Sequence, residues 1–383
     1  MALLIFVTAI AFAVYTLVGY PILLVLLARL RGRDIRGQLT PRTVSVLLPV
    51  RNGERWIAAK LDTILGLDYP QELIDTIVIS DASTDGTDEI VRDYATRHRV
   101  RLLRVPWGGK AAALSAGLEQ ATGEILFFTD VRQRLAPDSL RHLVAAFGDP
   151  EVGAVSGELM ILAGDHHESA DVGLYWKYEK WIRRTMSRID SFHGVTGSIY
   201  ALRRNLAAPI PPGTLNDDMY LPLRAFLKGH RIAFESRAIA EDFPTLLDAE
   251  FRRKVRTLAG VYQIIGELPE LVSPRNRMWF HFMSHKVFRL FLPYALIAAI
   301  VSSWFLPQPL GLMAMAAEAA VFLMAAFDRV LPKGSLLKRV SSPARTFIVM
   351  MAATVCAAAI LFVPPEKLWG ETKVVEAKRG QAV

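Results

Sequence analysis

The first 28 residues carry no charged side chain, and this constrains the fold more than any other feature of the sequence. About 20 apolar residues of helix, each rising ~1.5 Å, cross the hydrocarbon core of a bilayer. A signal peptide would need cations ahead of its apolar part, and none stand there. The cations come afterwards, as Arg29, Arg31, Arg33, Arg36 and Arg42. Residues 1–28 are therefore predicted to form an uncleaved transmembrane anchor, with the amino terminus outside and the arginines inside.

Three further apolar segments form a C-terminal membrane region, at residues 287–306, 309–327 and 344–363. An uncharged PQP turn separates the first two and suits the outside. Cations separate the second and third, namely Arg329, Lys333, Lys338, Arg339 and Arg345. This alternation predicts an inner-membrane protein whose central region is cytoplasmic. The third segment could either span the membrane or form a re-entrant or interfacial helix. A span would place the cationic tail at 364–383 outside, against the positive-inside rule, whereas the other two arrangements would keep it inside. Two or three transmembrane helices are thus expected within 287–363.

Composition narrows the class of protein further. The single cysteine, Cys356, excludes an internal disulfide and a cysteine-built zinc site. The net charge is +8, but the cations cluster beside apolar segments, so we expect a membrane and no nucleic acid as partner. Glu318 lies within an apolar segment, where a charge is costly. We expect it either to be protonated or to be bonded to a neighbouring helix, at Ser302 or Ser303.

Residues 43–275 form one block in which apolar runs alternate with helical patterns. The runs TVSVLLP, DTIVIS, VRLLRV and EILFFT are typical of buried strands, and the helical patterns cover Trp56 to Leu67, Asp88 to His98 and Lys110 to Ala121. This alternation predicts a mostly parallel α/β sheet whose ligands bind beyond the carboxyl ends of the strands. The dinucleotide fingerprint, the phosphate loop ending in GK[ST] and the GxSxG elbow are all missing from the sequence.

Carboxylates follow two of these strands. Asp81 ends the second run, where it could accept hydrogen bonds from a base or a ribose, and Asp130 follows the fourth, where it could hold a divalent metal. A calcium loop starting at Asp81 is rejected because its twelfth position is Arg92 instead of a bidentate glutamate. Helix capping explains Ser83, Thr84 and Asp85 well, and for Asp130 it remains an alternative.

Six stretches together resemble family 2 glycosyltransferases of the GT-A fold. They are VSVLLPVRNGE, VISDASTDGTDEIV, GGKAAALSAGLEQATGEILFFTD, GVTGSIYALRR, LNDDMYLPLRAFLKGHRIAFES and FRRKVRTLAG, and they cover about residues 43–265. The flanking apolar segments resemble the membrane-integrated branch, which includes cellulose, chitin, hyaluronan and poly-N-acetylglucosamine synthases and ceramide glucosyltransferase. The resemblance implies a cytoplasmic GT-A domain over residues 43–275, with an interfacial helix near 251–266.

The resemblance also implies roles for individual residues. Donor binding falls to Pro49, Asn52, Asp81, Lys110, Asp130, Arg132, Arg253 and Arg256, catalysis to Asp218 with Asp217, and acceptor binding to Gly197 and Ser198. Asp218 matches the base that deprotonates the acceptor hydroxyl, and attack opposite the leaving group inverts the anomeric centre. Two simpler interpretations stay open. Asp217 and Asp218 could only complement a helix dipole, and Arg253 and Arg256 could only face lipid headgroups.

Two departures from the family pattern bear on cofactor and product. Arg132 stands where the family has a second DxD carboxylate, so Mg or Mn at Asp130 is in doubt, and the guanidinium could replace part of the metal's charge. Thr257 stands where the synthases carry tryptophan, so processive polymerisation is not assured. Trp176, Tyr178 and Trp181 could stack on sugars, although at least two of them are expected to pack in the core or at the interface.

The sequence thus predicts an inverting transferase that moves a sugar from a nucleotide-sugar, expected to be UDP-linked, to a lipid-linked or polysaccharide acceptor in cell-surface polysaccharide synthesis. Alternatives are a processive polysaccharide synthase, a nucleotidyltransferase, and a catalytically impaired scaffold that binds nucleotide-sugar among polysaccharide-assembly subunits.

Overall fold

The computed structural model describes residues 1–162, 169–243, 247–328, 330–332 and 335–368. They divide into two compact units. The sheet unit consists of Leu27–Ala163 and Lys180–Pro244, and the helical unit of Met1–Leu26, Gly164–Glu179 and Thr245–Val383. Every motif from VSVLLPVRNGE to LNDDMYLPLRAFLKGHRIAFES belongs to the sheet unit, whereas FRRKVRTLAG belongs to the helical unit.

A mixed eight-stranded sheet forms the centre of the sheet unit. Its strands are β1 (Val44–Val50), β2 (Ile74–Asp81), β3 (Val100–Val105), β4 (Ile125–Phe128), β5 (Arg134–Leu135), β6 (Val152–Ile161), β7 (Tyr200–Arg203) and β8 (Arg231–Asp242). Their order across the sheet is β3-β2-β1-β4-β7-β6-β8-β5. The first four strands along the chain pair in parallel, and β7 joins antiparallel to both β4 and β6. The mostly parallel α/β class predicted from the sequence is confirmed.

Helices connect the strands and continue into the helical unit. In chain order the longer ones are α1 (Ala2–Arg31), α2 (Glu54–Leu65), α3 (Thr87–Ala95), α4 (Gly109–Gln120), α5 (Ser139–Ala146), α6 (Ser169–Ile189), α7 (Asp217–Leu227), α8 (Leu247–Glu267), α9 (Trp279–Ser303), α10 (Leu310–Phe327) and α11 (Leu336–Leu361). The three predicted between strands, now α2, α3 and α4, begin one or two residues earlier than expected.

The apolar pattern explains how the parallel half of the sheet forms. In α2, Ile57, Leu61 and Ile64 recur at helical spacing and are all fully buried. In β1 almost every residue is buried, as expected for a strand covered by helices on both faces. The carboxyl ends of β1, β2, β3 and β4 consequently open onto one edge of the sheet, which is where ligands bind in such folds.

The direction of the sheet reverses at β4. This strand pairs in parallel with β1 on one side and antiparallel with β7 on the other. Phe128 and Tyr200 face each other across the second pairing, and their stacked rings lie 4.3 Å apart between centroids. Asp130 is the second residue after β4, so this predicted site residue lies next to the seam between the two halves of the sheet.

Four helices of the helical unit are long and apolar enough to cross a membrane, namely α1, α9, α10 and α11. Large apolar side chains such as Leu4, Phe291 and Leu312 are exposed along them. Ser303 Oγ donates a hydrogen bond to Glu318 Oε2 at 3.0 Å, which confirms the expected contact between neighbouring helices. These features make the four helices candidate membrane spans.

The fourth candidate span begins eight residues earlier than predicted. Lys338 and Arg345 were expected between two apolar segments, yet both lie inside α11. They pair with buried Asp328, at 3.0 Å and 3.3 Å, and this pairing accommodates two cations in the first half of the helix. The tail from residue 369 and its expected location lie outside the described residues, as do Arg329 and Lys333.

Candidate active site

The turn after β1 is tied to the turn after β2. Asn52 has a left-handed backbone (φ +50°), a conformation that asparagine tolerates better than most residues. Its side-chain Oδ1 accepts a hydrogen bond from the backbone N–H of Thr84 at 2.9 Å, and its own N–H donates to Ser83 Oγ at 3.1 Å. Pro49, near the end of β1, pairs in register with Ile79 of β2. Asn52 therefore shapes these two turns while its amide stays partly available at the surface.

Asp81 holds the turn after β3. Its two carboxylate oxygens accept hydrogen bonds from the backbone N–H groups of Gly108 (2.8 Å) and Gly109 (3.1 Å). Gly109 has φ +79°, which a residue with a Cβ adopts only at a cost. This turn leads directly into α4 and Lys110. Each carboxylate oxygen keeps a second lone pair, so Asp81 can still accept from a ligand.

Two residues that the sequence analysis overlooked border the same edge. The Trp107 side chain is 67% exposed, and the Arg51 guanidinium lies 5.3 Å from its ring centroid. Trp107 is the second residue after the apolar run VRLLRV, and this position at the predicted carboxyl edge of the sheet is the sequence signal for a ring that can stack on a ligand.

The seam carries a cluster of carboxylates around one lysine. Lys110 Nζ lies 3.0 Å from Asp130 Oδ1 and 3.3 Å from Asp217 Oδ2. Asp217 and Asp218 occupy the first turn of α7. The structure thus brings together Lys110 and Asp130, which lie near the start and at the end of one motif, with Asp217 and Asp218 from another.

Gly197 packs directly against this cluster. A Cβ on Gly197 would lie 3.1 Å from Asp218 Oδ2 and 3.5 Å from Lys110 Nζ. The neighbouring Val195 N–H donates to the carbonyl of Asp218 at 3.1 Å, which fixes the loop against the start of α7. Only glycine leaves space beside the Asp218 carboxylate at this position.

The proximity of these charges changes their titration. Burial, together with the negative charges of Asp217 and Asp130, raises the pKa of Asp218 to about 6, while Lys110 and Arg183 oppose the shift. Burial alone would lower the pKa of Lys110, but the three carboxylates outweigh it and raise that pKa above its ordinary value. Lys110 therefore stays charged, and Asp218 exchanges its proton close to neutral pH.

Arg183 and two buried hydroxyl groups complete this region. Arg183 Nη1 donates to Thr196 Oγ1 at 3.1 Å. Ser198 Oγ and the Tyr200 hydroxyl are buried and find no hydrogen-bond partner among the described residues. Burial also raises the pKa of Tyr200, and the neighbouring carboxylates add to the effect, so this phenol stays protonated.

Arg132 pairs with a carboxylate that does not belong to the cluster around Lys110. Its Nη2 donates to buried Asp242 Oδ2 at 2.5 Å, and Gln133 Nε2 donates to the same oxygen at 2.8 Å. The positive charge that was expected to replace a metal is therefore already paired, and Asp242, 110 positions away, gave no local signal in the sequence. This weakens the replacement hypothesis.

The oxygen ligands for a divalent metal are few. Among the described residues no group of three His, Cys, Asp or Glu side chains is arranged to hold an ion. Asp130 is partly exposed and offers one carboxylate at the seam. Magnesium sites commonly use one or two carboxylates together with substrate phosphates, and a single carboxylate fits that mode.

The remaining predicted residues belong to other surroundings. Arg253 and Arg256 lie on α8 in the helical unit, where α8 packs against α11. Trp181 is exposed, Tyr178 is partly buried, and the Trp176 side chain lies outside the described residues. Their predicted roles stay predictions.

Two protein-family models match the sequence of this chain. The model described as glycosyl transferase family 2 matches residues 45–208, and the one described as glycosyl transferase family group 2 matches residues 128–329, more than half of the chain. The chain belongs to glycosyltransferase family 2. The resemblance to this family that was drawn from the motifs is thereby confirmed.

Curated relatives of this family 2 glycosyltransferase include two synthases. Poly-beta-1,6-N-acetyl-D-glucosamine synthase of Staphylococcus epidermidis is 24% identical over 233 residues, which is 58% of this chain and 55% of the relative. Beta-monoglucosyldiacylglycerol synthase of Nostoc sp. is 27% identical over 278 residues, 69% of this chain and 58% of the relative. The matches thus span little more than half the length of either relative.

A solved structure shares the fold over nearly the whole chain. A mannosyltransferase from Pyrobaculum calidifontis, in complex with GDP-Man and Mn2+, superposes with a TM-score of 0.74 at 24% identity. The superposition covers 94% of this chain and 99% of the mannosyltransferase. It confirms the GT-A fold predicted from the sequence.

Proposed function

We propose that this glycosyltransferase transfers a hexose from a UDP-sugar, with inversion, to a lipid-linked or polysaccharide acceptor at the cytoplasmic face of the cell membrane. The observation that carries the proposal is the convergence of Asp130, Asp217 and Asp218 on Lys110 at the carboxyl edge of the sheet. The cluster combines a carboxylate able to take a proton with a cation able to face phosphate, and both are needed for sugar transfer.

Asp218 is better suited than Asp217 to act as the base. A hydroxyl is a poor nucleophile until its proton is removed, and a base works best when its pKa lies near the working pH. The pKa of Asp218 is raised to about 6, and its carboxylate lies against Gly197, where no side chain covers it. Asp217 is buried and faces Lys110. Asp217 then serves to raise the basicity of Asp218, and a single base suffices for inversion.

Lys110 is the cation placed to stabilise the departing diphosphate. The leaving group gains negative charge as the glycosidic bond breaks, and a fixed cation in a partly buried site stabilises that charge without reorganising. Arg132 is less available because Asp242 already pairs with it. Arg253 and Arg256 stay proposed contributors from the helical unit.

A divalent metal, Mg or Mn, would be held by Asp130 together with the donor's diphosphate. When bound, such an ion adds positive charge to the leaving group. The chain's own part is to present the partly exposed Asp130 carboxylate after β4. The Mn2+ in the complex of the Pyrobaculum mannosyltransferase supports this proposal by fold analogy.

The nucleoside would lie over the turns after β1, β2 and β3. Asn52 and Asp81 present polar groups there, Pro49 lies near the end of β1, and exposed Trp107 offers a ring on which a base can stack. Gly197 and Ser198 border the cluster from the other half of the sheet and would face the acceptor. The names of the two relatives, and the four candidate spans, support a lipid-linked or polysaccharide acceptor and a membrane location.

The deciding experiment is release of nucleoside diphosphate by the full chain, purified in detergent, across a panel of UDP- and GDP-sugars with and without manganese. Lipid extract and short oligosaccharides serve as acceptors. Release from one UDP-sugar, abolished in Asp218→Asn, supports the proposal. Release from a GDP-sugar alone overturns the choice of nucleotide. If no donor gives release of nucleoside diphosphate while calorimetry still shows UDP binding, the result favours a scaffold that binds nucleotide-sugar among polysaccharide-assembly subunits.

A further inference from the structure

Lys60 is buried in the core of the sheet unit although lysine is ordinarily exposed. It lies on the inner face of α2, in the same stripe as Ile57, Leu61 and Ile64, and only 2% of it is exposed. A residue in that stripe is expected to be apolar, because the stripe packs against the sheet. A long cationic side chain at such a position requires polar partners inside the protein.

Those partners belong to the turn that follows β4. Lys60 Nζ donates to Thr129 Oγ1 at 2.6 Å and to the backbone carbonyl of Gln133 at 2.7 Å. Thr129 and Gln133 flank the segment that carries Asp130 and Arg132. The ammonium group therefore links the first and last residues of this turn through hydrogen bonds.

The hydrogen bond from Lys60 to Thr129 continues to the loop beside Asp218. Thr129 Oγ1, which accepts from Lys60, donates its own proton to the carbonyl of Ser198 at 2.8 Å. Ser198 follows Gly197, and Gly197 is the residue that packs against Asp218. A continuous chain of hydrogen bonds thus joins the Lys60 ammonium to the two loops that border the carboxylate cluster.

No carboxylate within ion-pair distance of Lys60 is present in the described part of the chain. Burial lowers the pKa of Lys60 to about 7, and Asp130 is the acidic group whose attraction opposes the shift. Hydrogen bonds from an ammonium group are about twice as strong as neutral ones, which suits a clamp that must hold a turn. An apolar side chain of the same length could fill this space but could donate neither hydrogen bond.

We propose that Lys60 is a positioning residue for sugar transfer, which holds the Asp130 turn and, through the Thr129 hydroxyl, the Ser198 loop in the arrangement that the transfer step requires. The inference rests on the proposed function, since it concerns the same site. Lys60 itself touches neither donor nor acceptor in this proposal. Its effect is geometric: a displacement of about 1 Å at reacting groups can cost on the order of 10²-fold in rate.

The test compares Lys60→Met and Thr129→Val with the wild-type chain and with Lys228→Met as a matched control. Lys228 is an exposed lysine of the sheet unit, outside the site, so its variant loses the same charge. For each variant we would measure the folded fraction, the affinity for UDP by calorimetry, and kcat per folded molecule with the active donor.

We expect Lys60→Met to lower kcat by about 30- to 100-fold and to change the affinity for UDP by less than about threefold, because the nucleoside turns lie on other strands. Thr129→Val, which removes the hydroxyl and keeps the shape, should lower kcat about tenfold. The double variant should be no slower than Lys60→Met alone, since both act on one chain of hydrogen bonds. Lys228→Met should match the wild-type chain.

An unchanged kcat per folded molecule in Lys60→Met, or effects of the two substitutions that simply multiply, would overturn the proposal. If Lys60→Met does not fold, Thr129→Val decides alone, and a kcat equal to the wild-type value counts against positioning. The proposed function fails separately, because it requires the wild-type chain itself to release nucleoside diphosphate and Asp218→Asn to stop doing so.

Discussion

The two ends of the candidate site use their polar side chains in opposite ways. At the nucleoside end, the side-chain oxygens of Asn52 and Asp81 accept hydrogen bonds from backbone N–H groups of neighbouring turns. At the transfer end, Asp130, Asp217 and Asp218 crowd around Lys110. One end is a set of turns fixed by hydrogen bonds, and the other is an accumulation of charge.

This difference separates residues that set shape from residues that set reactivity. Removing a side chain that braces a turn should loosen binding and leave the chemistry intact. Removing a charge from the cluster should alter the protonation of its neighbours, because partly buried charges interact strongly. The comparison therefore predicts effects on affinity at one end and on turnover and pH dependence at the other.

The largest effect is expected from Asp218→Asn. The amide keeps the shape of the carboxylate but cannot accept a proton, so kcat should fall by about 10³-fold or more while UDP binding stays within about threefold. Calorimetry and nucleoside diphosphate release measure the two quantities. Normal turnover in this variant would assign the base to another residue and remove the basis of the comparison.

Lys110→Met should come next, with kcat lowered by about 10²-fold. Lys110 lowers the pKa of Asp218, so its loss should also move the rising limb of the pH–rate profile to higher pH. Lys228→Met serves again as the control for charge. A fall in kcat without any movement of the profile would mean that Lys110 acts on the leaving group alone.

The pH dependence of the wild-type enzyme should show an intermediate effect. The base must be deprotonated, and the pKa of Asp218 is about 6, so kcat should rise about tenfold between pH 5 and pH 7 and then level.

The same raised pKa means that the folded state gains stability from proton binding below about pH 6 and loses it as the pH rises through that value. Asp218→Asn should accordingly be more resistant to heat than the wild-type chain at pH 7.5, and the difference should vanish near pH 4. Equal melting temperatures at both pH values would argue against a raised pKa.

The smallest effect is expected from Asn52→Gly. Glycine accepts the left-handed backbone of this position, so the substitution removes the amide without introducing strain. Loss of the bond to Thr84 should weaken UDP binding about three- to fivefold, with kcat unchanged at saturating donor. A drop in kcat instead would show that the nucleoside end also shapes the transfer step.

The sequence predicted the parallel half of the sheet well because its strands are uninterrupted apolar runs between amphipathic helices. It did not predict β5 to β8 as individual strands. These pair across long separations, and β5 has only two residues. The candidate spans were predicted for the same reason as the parallel strands, although the cations inside α11 hid its first turns.

The residues brought together at the cluster were predicted through the family resemblance, but their contacts were not. The pairing of Arg132 with Asp242 joins residues far apart in the chain and gives no local pattern. Lys60 was overlooked because a single lysine in an apolar stripe leaves the periodicity of the helix intact. Trp107 was overlooked although its position after β3 was predictable.

The seam between β4 and β7 also marks a boundary for exchanging parts between enzymes. The strands of the nucleoside end, β1 to β4, precede it in the chain, and the second half of the sheet follows. Among the described strands, the two halves of the sheet are paired across this line by one short antiparallel ladder, from Ile125 with Arg203 to Phe128 with Tyr200. A chimera that takes its second half from a relative, and keeps those four pairs, should therefore inherit a new acceptor while retaining its original sugar nucleotide.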